Sequence, residues 1–141
     1  MSNIFLVYTG MTRSATNILK KQEKNKEINI SILREISNDA KEMKNELLHE
    51  HIRMENIAKL LKRNWERKQK LCDAITNNGI DQLYSRCIKE GSLGGKLLGA
   101  GGGGFLLMIG DKQCKNSMIR EVGIENVIDI GYETQGSRIL G

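Results

Sequence analysis

Apolar residues in the first half of the chain recur with the spacing of a helix. Over residues 33–47, and again over residues 54–75, they return every three or four positions, as one buried face of a helix requires. One unbroken helix over both stretches would be far longer than the usual length of about three to four turns. We therefore expect a bend at residues 48–51 and a long helical hairpin, preceded by a shorter helix over residues 13–24.

Short apolar runs that predict strands lie at the start of the chain and in its second half, where turn residues separate them. Residues 4–8 at the start of the chain are apolar and β-prone, which predicts a buried first strand. Further strands are predicted at 95–98, 105–109 and 127–132, and further helices at 80–89 and 112–122. Asn77, Asn78 and Gly79 are expected to close the second helix of the hairpin. This order predicts an α+β fold, a mainly antiparallel sheet in a ferredoxin-like sandwich with several helices packed on one face.

Composition limits the classes of protein. One domain is expected over residues 1–141, because a chain of 141 residues with 39% hydrophobic content is long enough for one compact domain and short for two. Three cysteines without CxxC spacing suggest neither a disulfide framework nor a zinc site, so reduced thiols and a cytoplasmic location are expected. The sequence has no apolar run long enough to cross a bilayer and no export signal at its start, so no membrane partner is expected.

The net charge of +5 permits contact with phosphates or nucleic acid without requiring it. The basic clusters are interleaved with glutamates, as on exposed helix faces, and only Trp65 accompanies the second cluster. Stacking on single-stranded nucleic acid is therefore not indicated, and we expect no nucleic-acid partner. On the helical stripe, Trp65 is predicted to be a core residue.

A run of glycines after the hairpin is the most specific feature of the sequence. Gly99, Gly101 and Gly104 satisfy GxGxxG, but the residues that follow predict a strand rather than the helix that a dinucleotide site needs. A Walker A loop is excluded, because Lys96 is followed by Leu97 instead of Ser or Thr. Glycines that take positive φ expose backbone N–H groups, which can stabilise an anion or support a neighbouring phosphate-binding loop. A tight hairpin without a ligand is an equally open alternative.

This glycine run resembles a known signature. The stretch Lys96-Leu97-Leu98-Gly99-Ala100-Gly101-Gly102-Gly103-Gly104 is similar to the third motif of the GHMP kinases. Further segments resemble the heptose 7-phosphate kinase branch, namely residues 6–10 with Arg13, Trp65 with Lys68, residues 80–84, and residues 136–138. The similarity runs over almost the whole chain in the order of the family.

The resemblance implies a function for the complete enzyme. In this family the third motif folds over the active site and supports the nucleotide-phosphate loop, a role that falls here on Lys96, Gly99, Ala100, Gly101, Gly102, Gly103 and Gly104. The first two motifs lie in an N-terminal domain, and no PxxxGLGSS-like loop occurs in this sequence. The implied protein is thus the C-terminal half of a kinase that uses ATP and Mg²⁺, bound mostly by the absent half, to phosphorylate a heptose 7-phosphate. The implied partner is the N-terminal kinase half. The resemblance implies no catalytic residue in the present chain, which would be inactive alone.

For other residues the sequence permits either a role in binding or a purely structural role. Thr9, Gly10 and Arg13 lie between a strand and a helix, where the helix N-terminus and Arg13 could hold the phosphate of a sugar phosphate. Alternatively, Thr9 only caps the helix and Arg13 faces solvent. Lys68 either reaches toward the cleft or is solvated. The histidines and aspartates show no metal-ligand spacing, so no metal site is expected in this half.

A function of another class also fits the sequence. The same α+β domain would serve as a non-catalytic module that binds a small ligand or a partner protein through the surface where the other half docks. A basic nucleic-acid-binding module is the weaker third option. An apolar face made for another domain would also drive homodimer formation when it is exposed.

Overall fold

The computed structural model describes residues 3–12, 14–24, 27 and 29–131. Over these residues the elements run in the following order: β1 (Asn3–Tyr8), α1 (Ala15–Lys24), α2 (Ile30–Leu47), α3 (Met54–Gln69), α4 (Asn78–Lys89), β2 (Gly94–Leu97), β3 (Phe105–Gly110), α5 (Lys112–Val122), a 3₁₀ turn (Ile124–Asn126) and β4 (Val127–Asp129).

The described strands form one antiparallel sheet in the order β2-β3-β1-β4. Phe5 of β1 lies opposite Met108 of β3, and Val7 lies opposite both Leu106 and Val127. Since neighbours along a strand point to opposite faces, these side chains share one face of the sheet. The predicted α+β fold with an antiparallel sheet is confirmed.

That face carries the main core. Phe5, Val7, Leu106 and Met108 are fully buried in one cluster with residues of α4 and α5 and with Trp65 of α3. Burying large apolar side chains is the dominant favourable term in folding. Trp65, whose exposed fraction is 2%, is a core residue, as predicted.

The helical hairpin is formed by α2 and α3, which end and begin on either side of the predicted bend. Buried Asp39 of α2 joins the two helices, because its Oδ1 accepts hydrogen bonds from Arg67 and, at 2.7 Å, from Nε of Arg63. Helix α3 lies directly against β2. A Cβ at Gly94 would sit 2.5 Å from the carbonyl oxygen of Ala58, so only glycine allows this approach.

Two predicted boundaries differ from the structure. Helix α3 ends at Gln69, although apolar residues with helical spacing continue to Ile75. Asn77, predicted to close that helix, instead begins α4, where its side-chain oxygen accepts a hydrogen bond from the Ile80 amide at 3.1 Å. Asparagine favours helix N-caps because its side chain satisfies a free amide of the first turn. The segment 70–77 therefore buries its apolar residues without helical structure.

The remaining boundaries shift by a few residues. Helix α1 begins at Ala15 rather than at residue 13, and β4 ends at Asp129. The end of the last predicted strand, Tyr132, and the motif at 136–138 lie outside the described residues. None of the helices in the described ranges has both the length and the apolar character needed to cross a membrane.

Candidate functional site

The glycine loop connects β2 and β3 and is closed at its base by a hydrogen bond from the Leu98 amide to the Phe105 carbonyl, 2.9 Å long. Gly99, Gly101, Gly102 and Gly104 all have positive φ, between +74° and +119°. This backbone conformation is strained for residues with a Cβ, which explains why glycine occupies these positions. We call residues 99–100 the leading half of the loop and residues 101–104 the trailing half.

The trailing half is held by the backbone of two distant segments. The Gly102 amide donates to the Ile75 carbonyl at 2.8 Å, and the Gly104 amide donates to the Met11 carbonyl at 2.9 Å. The approach is too close for side chains. A Cβ at Gly101 would lie 2.8 Å from Cα of Ile75, and one at Gly103 would lie 2.8 Å from the Met11 carbonyl carbon.

Thr9 also belongs to this arrangement. The Gly104 carbonyl accepts hydrogen bonds from the Thr9 amide and from the Thr9 hydroxyl, both at 2.9 Å. Thr9 is buried, and its hydroxyl oxygen also accepts from the Met11 amide at 3.3 Å. Thr9 therefore anchors the glycine loop to the end of β1 and does not cap helix α1, so the alternative reading of this residue is wrong.

Side chains hold the leading half. Lys68 of α3 donates from Nζ to the Gly99 carbonyl. Gln22 of α1 donates from Nε2 to the Ala100 carbonyl at 3.1 Å. Lys68 thus reaches the loop instead of being solvated, whereas Gln22 was missed by the sequence reasoning, since no local pattern links it to a loop 78 residues away.

Several backbone amides of the loop are left over. Within the part of the chain that the structure describes, the amides of Gly99, Ala100, Gly101 and Gly103 donate no hydrogen bond. Gly101 is nevertheless buried. Because buried amides in folded proteins nearly always have a partner, the Gly101 amide is the donor that needs explaining, whereas Gly99, Ala100 and Gly103 are exposed or half-buried and water can reach them.

A concavity of about 330 Å³ adjoins these amides. Besides the loop itself, it is lined by Thr12, Ala15, Leu98 and Phe105. Ala15 is the first residue of α1, so the positive end of that helix faces the same space as the free amides. The lining contains backbone donors, apolar side chains and the side chain of Thr12, and among the described residues it contains no carboxylate, histidine or lysine.

Lys96 lies in β2, just before the glycine loop. Its Nζ donates to Oδ1 of Asn64 on α3 at 2.5 Å, and it does not line the concavity. Burial lowers the pKa of Lys96, an effect that the charge of Asp39 opposes. Burial also lowers the pKa of Lys68, and the nearby positive charge of Lys96 lowers it further. In the described ranges neither lysine forms an ion pair.

Gly10 and Arg13 are the other residues predicted to hold a phosphate. Gly10 is exposed with a φ of +69°, directly after Thr9. Arg13 lies outside the described residues. The described ranges also contain no group of three His, Cys, Asp or Glu side chains that could hold a metal ion, so they offer no ligand set for Mg²⁺.

The antiparallel sheet with its helices is a fold that is also found in solved structures of small-molecule kinases. Two solved structures share the fold. L. major mevalonate kinase in complex with R-mevalonate matches with a TM-score of 0.71 at 14% identity, over 92% of this chain and 43% of that one. Methanococcus jannaschii mevalonate kinase matches with a TM-score of 0.64 at 20% identity, over 92% of this chain and 40% of that one.

The chain belongs to the family "GHMP kinases C terminal", whose profile matches residues 40–128. It is 28% identical over 135 residues to D-glycero-alpha-D-manno-heptose 7-phosphate kinase of Campylobacter jejuni, a match that covers 93% of this chain and 39% of the relative. It is 34% identical over 125 residues to L-fucokinase/L-fucose-1-P guanylyltransferase of Bacteroides fragilis, covering 86% of this chain and 13% of the relative. The predicted resemblance to the GHMP kinases is confirmed.

The chain spans less than half the length of each of these relatives. It corresponds to about two fifths of the heptose 7-phosphate kinase and of the mevalonate kinases. The comparisons thus establish the family and the fold of one part of such an enzyme.

Proposed function

We propose that this chain is the C-terminal half of an ATP-dependent sugar-phosphate kinase that acts on a heptose 7-phosphate. The complete enzyme would transfer the γ-phosphoryl group of ATP to a sugar hydroxyl and form the 1,7-bisphosphate. A new sugar O–P bond forms, the bond between the γ-phosphorus and the bridging oxygen breaks, and the hydroxyl proton leaves to a base. The choice of sugar is supported by the 28% identity to the Campylobacter jejuni heptose 7-phosphate kinase over nearly the whole chain.

One structural observation carries the proposal: the free amides of Gly99, Ala100, Gly101 and Gly103 beside the start of helix α1. Phosphoryl transfer depends on positioning and on stabilising negative charge, which fixed backbone donors provide without reorganisation. The loop would form one wall of the active-site cleft. There its amides would bind phosphate oxygens directly or hold the phosphate-binding loop of the other half. Lys96 would support the loop by joining β2, the strand that leads into it, to Asn64 of α3.

We further propose that the chain is inactive without an N-terminal half. The concavity beside the loop has no carboxylate or histidine in its described lining that could act as a base. Magnesium would screen the charge of the nucleotide phosphates, but the described residues do not fit it, and both the ion and most contacts to ATP would belong to the other half. Gly10 and Arg13 would bind the phosphate of the sugar substrate, while Thr9, whose amide and hydroxyl both donate to the Gly104 carbonyl, would hold the glycine loop next to them.

The second face of the sheet supports the need for a partner half. Leu6 and Leu107 lie opposite each other on this face and are only half-buried, and Ile128 beside them is 41% exposed. Helix α3 covers the part of this face around Ile109 through Ile57 and Ala58. We propose that the N-terminal half covers the part around Leu6, Leu107 and Ile128 in a cytoplasmic enzyme. Without that half, exposed apolar surface would favour a homodimer, which light scattering over a range of concentrations detects.

The test is ATP-dependent phosphorylation of a heptose 7-phosphate, by the chain alone and after addition of a recombinant N-terminal half of the Campylobacter jejuni relative. We expect activity only in the mixture. L-fucose serves as the comparison substrate, because the second relative is an L-fucokinase. Activity on L-fucose alone would replace the proposed substrate, and activity of the isolated chain would contradict the proposed division of labour. No activity and no binding of ATP or sugar phosphate would favour the non-catalytic module.

A further inference from the structure

Two side chains from different helices hold two successive carbonyl groups of the glycine loop. Lys68 Nζ binds the Gly99 carbonyl from α3, and Gln22 Nε2 binds the Ala100 carbonyl from α1. Packing alone does not fix this part of the loop. Gly99 is exposed, and a Cβ built on it would meet no atom within 4 Å. Ala100 packs against the core and Gly101 is buried against Ile75. The two side-chain hydrogen bonds add to that packing by holding the carbonyl of each peptide unit in one direction.

The orientation of a carbonyl also fixes an amide. A peptide unit is planar, and in the trans form its C=O and N–H point in opposite directions. The described residues contain no cis peptide bond. Because Lys68 holds the Gly99 carbonyl, the Ala100 amide points away from Lys68. Because Gln22 holds the Ala100 carbonyl, the Gly101 amide points away from Gln22.

These two amides are among the loop donors that have no partner in the described structure. Lys68 and Gln22 do not line the concavity next to the loop, whereas Ala100 and Gly101 do. The two side chains thus lie outside the concavity, and each turns its peptide so that the N–H is directed away from the supporting helix.

We propose that Lys68 and Gln22 are positioning residues that direct the amides of Ala100 and Gly101 toward the phosphate oxygens of a bound ligand. The inference rests on the proposed function for the identity of that ligand, which is the nucleotide or the sugar phosphate. Lys68 donates to a carbonyl oxygen of the loop and does not line the concavity, so its proposed role is to orient the peptide. Gln22 performs the same task for the next peptide without charge.

Selective labelling with ¹⁵N-alanine gives a direct test on the chain alone. The sequence contains five alanines, so the spectrum has five amide signals, one of which is Ala100. Lys68→Met removes the donor at similar size, and Lys70→Met is the matched control, since Lys70 is exposed just beyond the end of α3. We expect Lys68→Met to shift the Ala100 signal and Lys70→Met to leave it in place. An unmoved Ala100 signal in Lys68→Met overturns the proposal.

Binding of phosphate is measured on the same samples. Inorganic pyrophosphate, ATP and a heptose 7-phosphate are titrated separately, and we expect a saturable shift of the Ala100 signal. The apparent Kd should rise about tenfold in Lys68→Met, the effect of one misdirected hydrogen bond, and should return toward the parent value in Lys68→Arg, which restores a donor. The ligand with the larger shift, ATP or sugar phosphate, identifies the source of the phosphate.

The outcomes separate the two proposals. No shift with any of the three ligands, or an equal Kd in Lys68→Met and the parent, overturns the positioning role. The kinase assay depends on the added N-terminal half, whereas these spectra do not. A saturable shift of Ala100 in a chain that fails the kinase assay would therefore retain the phosphate site while rejecting the proposed reaction.

Discussion

The two halves of the glycine loop are held by different means. In the trailing half, Gly102 and Gly104 donate to backbone carbonyls, and neighbouring glycines pack too closely for any side chain. In the leading half, the carbonyls of Gly99 and Ala100 depend on two polar side chains. Backbone contacts at van der Waals distance leave one arrangement, whereas long side chains can release and rebind. The trailing half is therefore held by close backbone packing, and the direction of the leading carbonyls is held by Lys68 and Gln22.

Gly103→Ala should have the largest effect on stability. The added Cβ would overlap the Met11 carbonyl, and backbone cannot yield as a flexible side chain does. We expect the free energy of unfolding to fall by about 3 kcal/mol, as for overpacking at a rigid site. Urea unfolding of the parent and the variant measures it.

Gly99→Ala is the matched control for that variant. Gly99 has open space around its missing Cβ, and only its φ of +74° disfavours alanine, at a cost of about 1 kcal/mol. If both variants lose the same stability, the two halves of the loop do not differ in the way described here.

Thr9→Val should have an intermediate effect. Valine keeps the shape of threonine but removes the hydroxyl that donates to the Gly104 carbonyl, which retains the Thr9 amide as a partner. The expected loss is about 1 kcal/mol in the free energy of unfolding. Thr12→Val, at an exposed position, should change it by less than about 0.5 kcal/mol. A neutral Thr9→Val would show that the trailing half does not need this anchor.

Lys68→Met should have the smallest effect on stability at pH 7, within about 0.5 kcal/mol, because it removes a partly exposed side chain that binds the leading half. The pH dependence is more informative. Since burial and then the charge of Lys96 lower the pKa of Lys68 in the folded protein below 10.5, the unfolded chain binds that proton more tightly. Stability therefore rises with pH between the lowered folded pKa and the unfolded value.

The measurement is the difference between the unfolding free energies of the parent and Lys68→Met across this alkaline range. Subtraction cancels the contributions of Tyr84 and Cys87, whose pKa burial raises to about 12, and of Cys114, whose pKa burial raises to about 11. The parent should gain stability relative to the variant as the pH approaches 10.5. A flat or falling difference would contradict the burial of this charge.

Local signals allowed part of this molecule to be predicted. The helical hairpin follows from apolar spacing, and the glycine loop from a composition that only positive φ and close approach explain. Asn77 was misread because an Asn-Asn-Gly sequence can end one helix or begin the next, and the buried residues after Gln69 continued the spacing beyond the helix. Gln22 could not be found, since its partner Ala100 becomes its neighbour only in the folded chain.

The anchors of the trailing half also constrain how the chain folds. Thr9 and Gly104, which share two hydrogen bonds, are 95 residues apart in sequence, and bringing such distant segments together carries a loop-closure entropy that local helices avoid. The helical hairpin can form from neighbouring residues, but the glycine loop has no local structure of its own to nucleate. We expect the loop to take its shape late, after β1 has paired with β3, so that amides able to meet a phosphate exist only once the rest of the domain has folded.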